Sequence, residues 1–210
     1  MIDRKDHEER MFGMYDVFRA GVEPGGLTMD YEIKILICYI LRSLGHPMPI
    51  SALIEVFVSE GIGNYFEAAS AASGLVKSGH IEILSPSPSE PDQCYQITDL
   101  GRNAAETFEK TLPLSIREKA VAAARDYFLI REHRTHNKAE TRKVEDGYLL
   151  TLTISDIGSD LLTLTILLPD AETCRKLQDR FFKDPVTTYK GIVAVLTGNF
   201  ETVGALLENQ

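Results

Sequence analysis

Between Asp30 and Lys110 the spacing of apolar residues changes period in a fixed order, and that order constrains the fold more than any other feature of the chain. Ile33, Ile37, Ile40, Leu41 and Leu44 recur at three- and four-residue steps, the mark of an amphipathic helix over about Tyr31 to Leu44. Thr28 or Asp30 can cap it, and Gly45-His46-Pro47 stops it. Pro49 suits the first turn of a second helix carrying Ile50, Leu53, Ile54 and Phe57. Gly61-Ile62-Gly63 leaves a very short connection before Asn64, a good N-cap for a third helix running to about Ser78, with Gly79 as its left-handed stop. Ile81 to Leu84 reads as a strand and Cys94 to Ile97 as its return. The intervening Ser85-Pro86-Ser87-Pro88-Ser89-Glu90-Pro91 cannot pair. Thr98 then caps a fourth helix over about Asp99 to Lys110. Helix, helix, short turn, helix and hairpin is the order of a winged helix-turn-helix domain, predicted over residues 28–112.

Upstream, Met11, Met14, Val17 and Phe18 predict a short helix within Asp3 to Phe18, and Gly21-Val22-Glu23-Pro24-Gly25-Gly26 reads as a linker, giving an N-terminal segment 1–27. Downstream, residues 113–210 predict a second domain. It opens with a helix over about Ser115 to Arg131. Glu132 to Lys143 follows as a polar, exposed edge strand. Tyr148 to Ile154 and Leu161 to Leu168 are strands joined by a hairpin at Ser155 to Asp160. Asp170 caps a helix with Cys174, Leu177 and Phe181 in register. Asp184-Pro185 breaks it before a last helix, with Val186, Tyr189, Ile192, Val193 and Leu196, ended by Gly198. The expected fold class is α+β: an N-terminal winged helix-turn-helix domain followed by a small α+β domain with an antiparallel three-stranded sheet.

Several stretches carry a family resemblance: Tyr31-Glu-Ile-Lys-Ile-Leu-Ile-Cys-Tyr-Ile-Leu41, Asn64-Tyr-Phe-Glu67, Ile97-Thr-Asp-Leu-Gly-Arg102, Leu112-Pro-Leu-Ser-Ile-Arg-Glu118, the Gly147-Tyr148 strand and Leu196-Thr-Gly198. On these the chain resembles an uncharacterised bacterial family, a domain of unknown function whose members are usually labelled transcriptional regulators. The resemblance implies a winged helix plus a C-terminal α+β domain. It implies no substrate, ligand or operator.

Apolar residues make up 44% of the chain and charged residues 25%, a balance that supports packed cores rather than disorder. The longest apolar run, Ile35 to Leu41, is too short to span a bilayer. The N-terminus lacks a basic head and apolar stretch, and the three cysteines are widely spaced and odd in number. A cytoplasmic protein with reduced thiols and no membrane contact is expected. Charge is unevenly spread. Residues 1–112 hold 9 Lys+Arg against 17 Asp+Glu, a balance of 9 − 17 = −8, and the remainder 13 against 14, or −1. DNA binders gain affinity by neutralising phosphates, so the domain expected to meet DNA carries the wrong sign.

The candidate DNA-binding residues are Asn64, Tyr65, Ser70, Ser73, Lys77 and Arg102. If Ala68, Ala72 and Leu75 face the core, the third helix turns Glu67, Ala69, Ser70, Ser73 and Lys77 outward. Gly74 offers a close backbone approach. This small, nearly neutral face either inserts into a groove or packs against another helix in a homodimer. A second candidate set, Arg131, Arg134, Lys138, Arg142 and Lys143, forms a basic strip that can supply phosphate contacts or simply protect an edge strand. His133 and His136, with Glu132 and Glu140, only sketch a metal site, because an extended segment would splay them. No metal, cofactor or catalytic set is read, since there is no nucleophile elbow and no paired Cys/His arrangement. Gly61 to Asn64 lacks the preceding strand and the Lys of a phosphate-binding turn.

The expected function is a non-enzymatic transcriptional regulator that binds double-stranded DNA as a homodimer. The alternative is a protein-interaction module that does not bind DNA, with a C-terminal domain for dimerisation or for a small-molecule effector of unspecified chemistry.

Overall fold

The computed structural model describes residues 26–27, 29–86, 91–156 and 158–208, the side chains of 207 and 208 excepted. The helix expected within Asp3 to Phe18, most of the linker, the cap candidate Thr28 and the loop residues Ser87 to Glu90 lie outside the described residues. The chain divides into two compact units, Met1–Arg125 and Asp126–Gln210. The division falls thirteen residues beyond the boundary expected after Leu112, inside a helix rather than at a linker.

In the first unit, helix α1 (Asp30–Leu44) is the central element, burying Ile33, Leu36, Ile37, Cys38, Ile40 and Leu41. Its N-cap is Met29, which makes no side-chain capping bond; Asp30 sits in the first turn and pairs with Lys34. Gly45 ends α1 at φ +75°, a left-handed position that costs glycine little. The two-residue strand β1 (Met48–Pro49) is a departure from expectation. Pro49 lacks an amide proton but lies at the sheet edge, where none is needed. Helix α2 (Ile50–Ser59) buries Ala52, Leu53, Ile54, Val56 and Phe57. Helix α3 (Tyr65–Lys77) packs Ala68, Ala71, Ala72 and Leu75 inward. Strands β2 (Ile81–Leu84) and β3 (Cys94–Ile97) pair antiparallel with Ile81 opposite Ile97, and β1 joins the far side of β3 with Met48 opposite Tyr95. The sheet order is β1-β3-β2. Helix α4 (Asp99–Phe108) follows, then a single 3-10 turn over Glu109–Thr111.

Helix α5 (Leu114–His136) is longer than expected and crosses the division. Within the first unit, Arg117 lies over the Tyr39 ring at 5.5 Å, and Lys119 donates to the Glu60 carbonyl at 2.6 Å. These contacts give a physical reason for the charged residues after Leu112, itself buried.

The second unit is an antiparallel meander of β4 (Lys138–Val144), β5 (Gly147–Asp156) and β6 (Ser159–Leu168), in the order β4-β5-β6. Helix α6 (Ala171–Lys183) covers one face, where Leu150, Leu152, Ile154, Cys174, Phe181 and Phe182 form the core. Asp170 caps α6 by accepting from the Thr173 amide at 2.7 Å. Helix α7 (Pro185–Leu196) begins where Asp184 accepts from the Thr187 amide at 2.9 Å. Gly198 at φ +70° ends this segment, but it is not the last helix: α8 (Phe200–Glu208) follows, with Asn199 accepting from the Thr202 amide. The fold is thus α+β, with two small antiparallel sheets in separate units.

Candidate functional site

Helix α3 is built on small residues. Asn64, in extended conformation, accepts from the Glu67 amide at 2.9 Å and satisfies one free N–H of the first turn. Alanines at 68, 71 and 72 let α1 approach closely. Gly74 shows how closely: a Cβ added there would lie 3.0 Å from Lys34 Cε. The neighbour at Gly74 is therefore a side chain of the same chain, and the glycine makes room for α1 rather than for an outside backbone.

The exposed stripe of α3 is Phe66, Ser70, Ser73 and Lys77, at i, i+4, i+7 and i+11. Ser70, Ser73 and Lys77 stand where the spacing placed them. Phe66 is not among the residues expected on this face, although the same spacing reaches it; at 77% exposure it is the most exposed large apolar side chain on the helix. Tyr65 is 57% exposed and meets Phe66 edge-on, their ring centroids 5.7 Å apart. Glu67 departs from expectation. It is half-buried, and its Oε2 is buried without a hydrogen-bond partner, because the capped first turn holds it against the body of the unit rather than on the outer face. Beside Tyr65 lies an open cleft of about 760 Å³, with Ile54 and Val58 from α2 and Pro91 and Asp92 from the β2–β3 connection in its lining.

The far end of α3 is fixed by Thr98. Its hydroxyl lies 2.7 Å from the Gly79 carbonyl oxygen and 2.9 Å from that of His80, and accepts from the Gly101 amide. This explains the Thr-Asp-Leu-Gly sequence: the first turn of α4 is pressed against the turn that ends α3. Arg102 follows on α4 and is half-buried, with its backbone amide on the Thr98 carbonyl.

The second candidate set is dispersed. The segment expected to be an edge strand is helical as far as His136 and extended only from Lys138. The helix persists because His133 is anchored: its Nδ1–H donates to the Phe182 carbonyl at 2.7 Å, and Asn137, buried, closes the end through its backbone and side-chain N–H on the His133 carbonyl. Arg134 lies over the Phe182 ring at 4.7 Å and 3.5 Å from Asp179. Arg131 is half-buried on the same helix. On β4 the pleat divides the rest. Lys138 and Arg142, opposite Thr153 and Leu149, project from the face away from α6, whereas Lys143 shares the α6 side with Thr141, which accepts from Gln178. The five cations do not form one strip.

The three cysteines are free and buried; burial pushes the Cys38 thiol up to about 12. No group of three or more His, Cys, Asp or Glu residues able to hold a metal ion occurs among the described residues. No helix among them is long and apolar enough to cross a membrane.

A family model described as Domain of unknown function (DUF4364) matches residues 33–196. Curated proteins and solved structures gave no significant match.

Proposed function

The chain belongs to the DUF4364 family, and we propose that it is a transcriptional regulator whose first unit is a winged helix that meets double-stranded DNA through α3, working as a homodimer. The observation that carries this reading is the order α1-β1-α2-α3-β2-β3, with α3 presenting an exposed stripe of Ser70, Ser73 and Lys77. Small hydroxyl side chains can enter the major groove and bond to base edges or phosphates. Glu67 is half-buried beside that stripe rather than exposed on it, with one carboxylate oxygen out of solvent. The stripe carries one cation, so affinity comes from close fit more than from phosphate neutralisation. The second unit, where Cys174, Phe181 and Phe182 pack on Leu150, Leu152 and Ile154 of β5, is assigned to assembly rather than to ligand sensing.

The test is selection of bound fragments from genomic DNA with folded full-length chain at physiological salt. Enrichment of a two-fold-related sequence is expected. A second reading, a protein-interaction module, rests on Phe66 and on the apolar cleft beside Tyr65 with its acidic Glu55 and Asp92. Absence of any enriched DNA sequence replaces the first reading with the second.

A further inference from the structure

The two edges of the second sheet differ in kind. Strand β4 carries Lys138, Glu140, Arg142 and Lys143, the charged protection that natural edge strands commonly show. Strand β6, Ser-Asp-Leu-Leu-Thr-Leu-Thr-Ile-Leu-Leu, is ten residues long with a single charge, Asp160, near its start. Among the described strands it pairs with β5 alone. Its α6-facing residues Leu162, Leu164, Ile166 and Leu168 are only partly buried, whereas Leu150, Leu152 and Ile154 on β5 are buried. On the other face Leu161 and Leu167 are about half exposed, at 50% and 54%. A long apolar edge without a lysine or proline is a template for another strand.

The sequence of β6 identifies that strand. Residues 161–167 read Leu-Leu-Thr-Leu-Thr-Ile-Leu, which is the same forwards and backwards apart from the exchange of Leu162 and Ile166. In an antiparallel pair about a two-fold axis at Leu164, residues equally distant from the centre face one another on the same side of the sheet. Thr163 of one copy then faces Thr165 of the other, Leu162 faces Ile166, and Leu164 faces itself. The β5–β6 pairing within the chain already contains two such threonine pairs, Thr153 with Thr163 and Thr151 with Thr165; in the second, Thr151 Oγ1 lies 3.1 Å from Thr165 Oγ1. The register shift opposite Ile154 and Ser155 leaves Leu161 as an extra residue and bounds the regular stretch at Leu162.

We propose that β6 pairs with β6 of a second copy of this chain, extending the three-stranded sheet into a continuous six-stranded antiparallel sheet. The pairing names the surface of the homodimer in the proposed function and rests on that reading only for its two-fold assembly, since DNA contact plays no part in it. The self-complementary sequence is what commits the edge to a second copy rather than to a foreign strand.

Equilibrium sedimentation of the full chain tests the pairing. The unaltered chain sediments as a dimer. The double variant Thr163→Lys/Thr165→Lys, at exposed positions, sets lysines opposite one another and raises the dimer Kd by roughly ten-fold or more. Thr163→Glu/Thr165→Glu does the same, and mixing the two variants restores association as a heterodimer. A monomer at the highest soluble concentration overturns both the pairing and the homodimer. A dimer that the folded lysine variant leaves unchanged overturns the pairing alone, as does failure of the mixture to associate. Should the lysine variant fail to fold, Leu164→Cys decides. Copper–phenanthroline oxidation in air links it into a disulfide dimer, because Cβ atoms facing across an antiparallel pair lie roughly 4.5–5.5 Å apart. Cross-linking of a Glu140→Cys control but not of Leu164→Cys overturns the proposal.

Discussion

Gly101 lies so close to His80 that a Cβ added to the glycine would come within 2.2 Å of the His80 carbonyl oxygen. The obstacle is backbone, so it cannot move aside as a flexible side chain can. The same His80 oxygen accepts from the Thr98 amide at 3.1 Å, and the Thr98 hydroxyl bridges to it. The pair of helix ends, α3 leaving and α4 entering, is thereby held in one arrangement.

Gly101→Ala is accordingly expected to cost about 1–3 kcal/mol through overpacking against backbone. Thr98→Ala loses the cap and costs about 1 kcal/mol. Urea denaturation followed by circular dichroism measures both. A neutral Gly101→Ala would mean that α4 is free to shift away from α3.

Under the proposed function, Lys77→Ala weakens DNA binding more than Arg134→Ala, because the Arg134 guanidinium is already held over Phe182 and beside Asp179. One phosphate contact from each Lys77 of a dimer gives a slope of about −2 for log Kobs against log salt concentration. Fluorescence anisotropy over a salt series reads both quantities. A much steeper slope, or a larger loss from Arg134→Ala, would move the phosphate contacts to the second unit.

Thiol chemistry offers an independent check of both cores. Cys38 and Cys94 are buried in the first unit and Cys174 in the second. The reactive species is the thiolate, which burial suppresses at Cys38. None of the three is expected to react promptly with Ellman's reagent in the native protein, and all three react in denaturant. Because Cys38 has a raised folded pKa, the fold loses stability as pH rises above the thiol's ordinary value of 9.0, where the unfolded chain ionises first.

The caps of α6 and α7 give a dependence at the acid end. Hydrogen bonds from the backbone and side chain of Thr173 hold the Asp170 carboxyl below its usual range. Burial alone would raise Asp184, but Thr187, with Arg180 and His133 nearby, brings it below the usual range as well. A depressed folded pKa contributes stability that is full above the unfolded value of 3.8 and is lost as pH falls below it toward the folded value. Thermal melts of Asp170→Asn against the unaltered chain should differ near neutral pH and converge as pH falls below the unfolded value of 3.8 and past the lowered folded one. A constant difference down to the lowest pH would rule out the cap as its cause.

Much of this organisation is written in local pattern. The α1 face, the Asn64 and Thr98 caps, the Gly45 and Gly79 stops and the β2–β3 and β5–β6 pairs all follow from periodicity and from residues whose capping or turn chemistry acts within a few positions. The same patterns located Ser70, Ser73 and Lys77 on the outer side of α3. Boundaries fared worse where the deciding contact was distant. Glu132 to His136 looks extended because it is polar, yet it is helical because His133 reaches the Phe182 carbonyl, 49 residues away in the chain.

The sequence by itself therefore determined most of the helices and strands, the antiparallel hairpins and the small, weakly charged stripe on α3, because those depend on interactions between near neighbours; it missed β1, the helical Glu132 to His136 and α8. Only the tertiary structure decided that Gly74 serves α1, that Glu67 is half-buried, that the Arg131 to Lys143 cations are scattered over a helix and two sides of a strand, and that β6 is left at an edge. Each depends on which distant groups share the space around a side chain, and residue spacing carries no record of that.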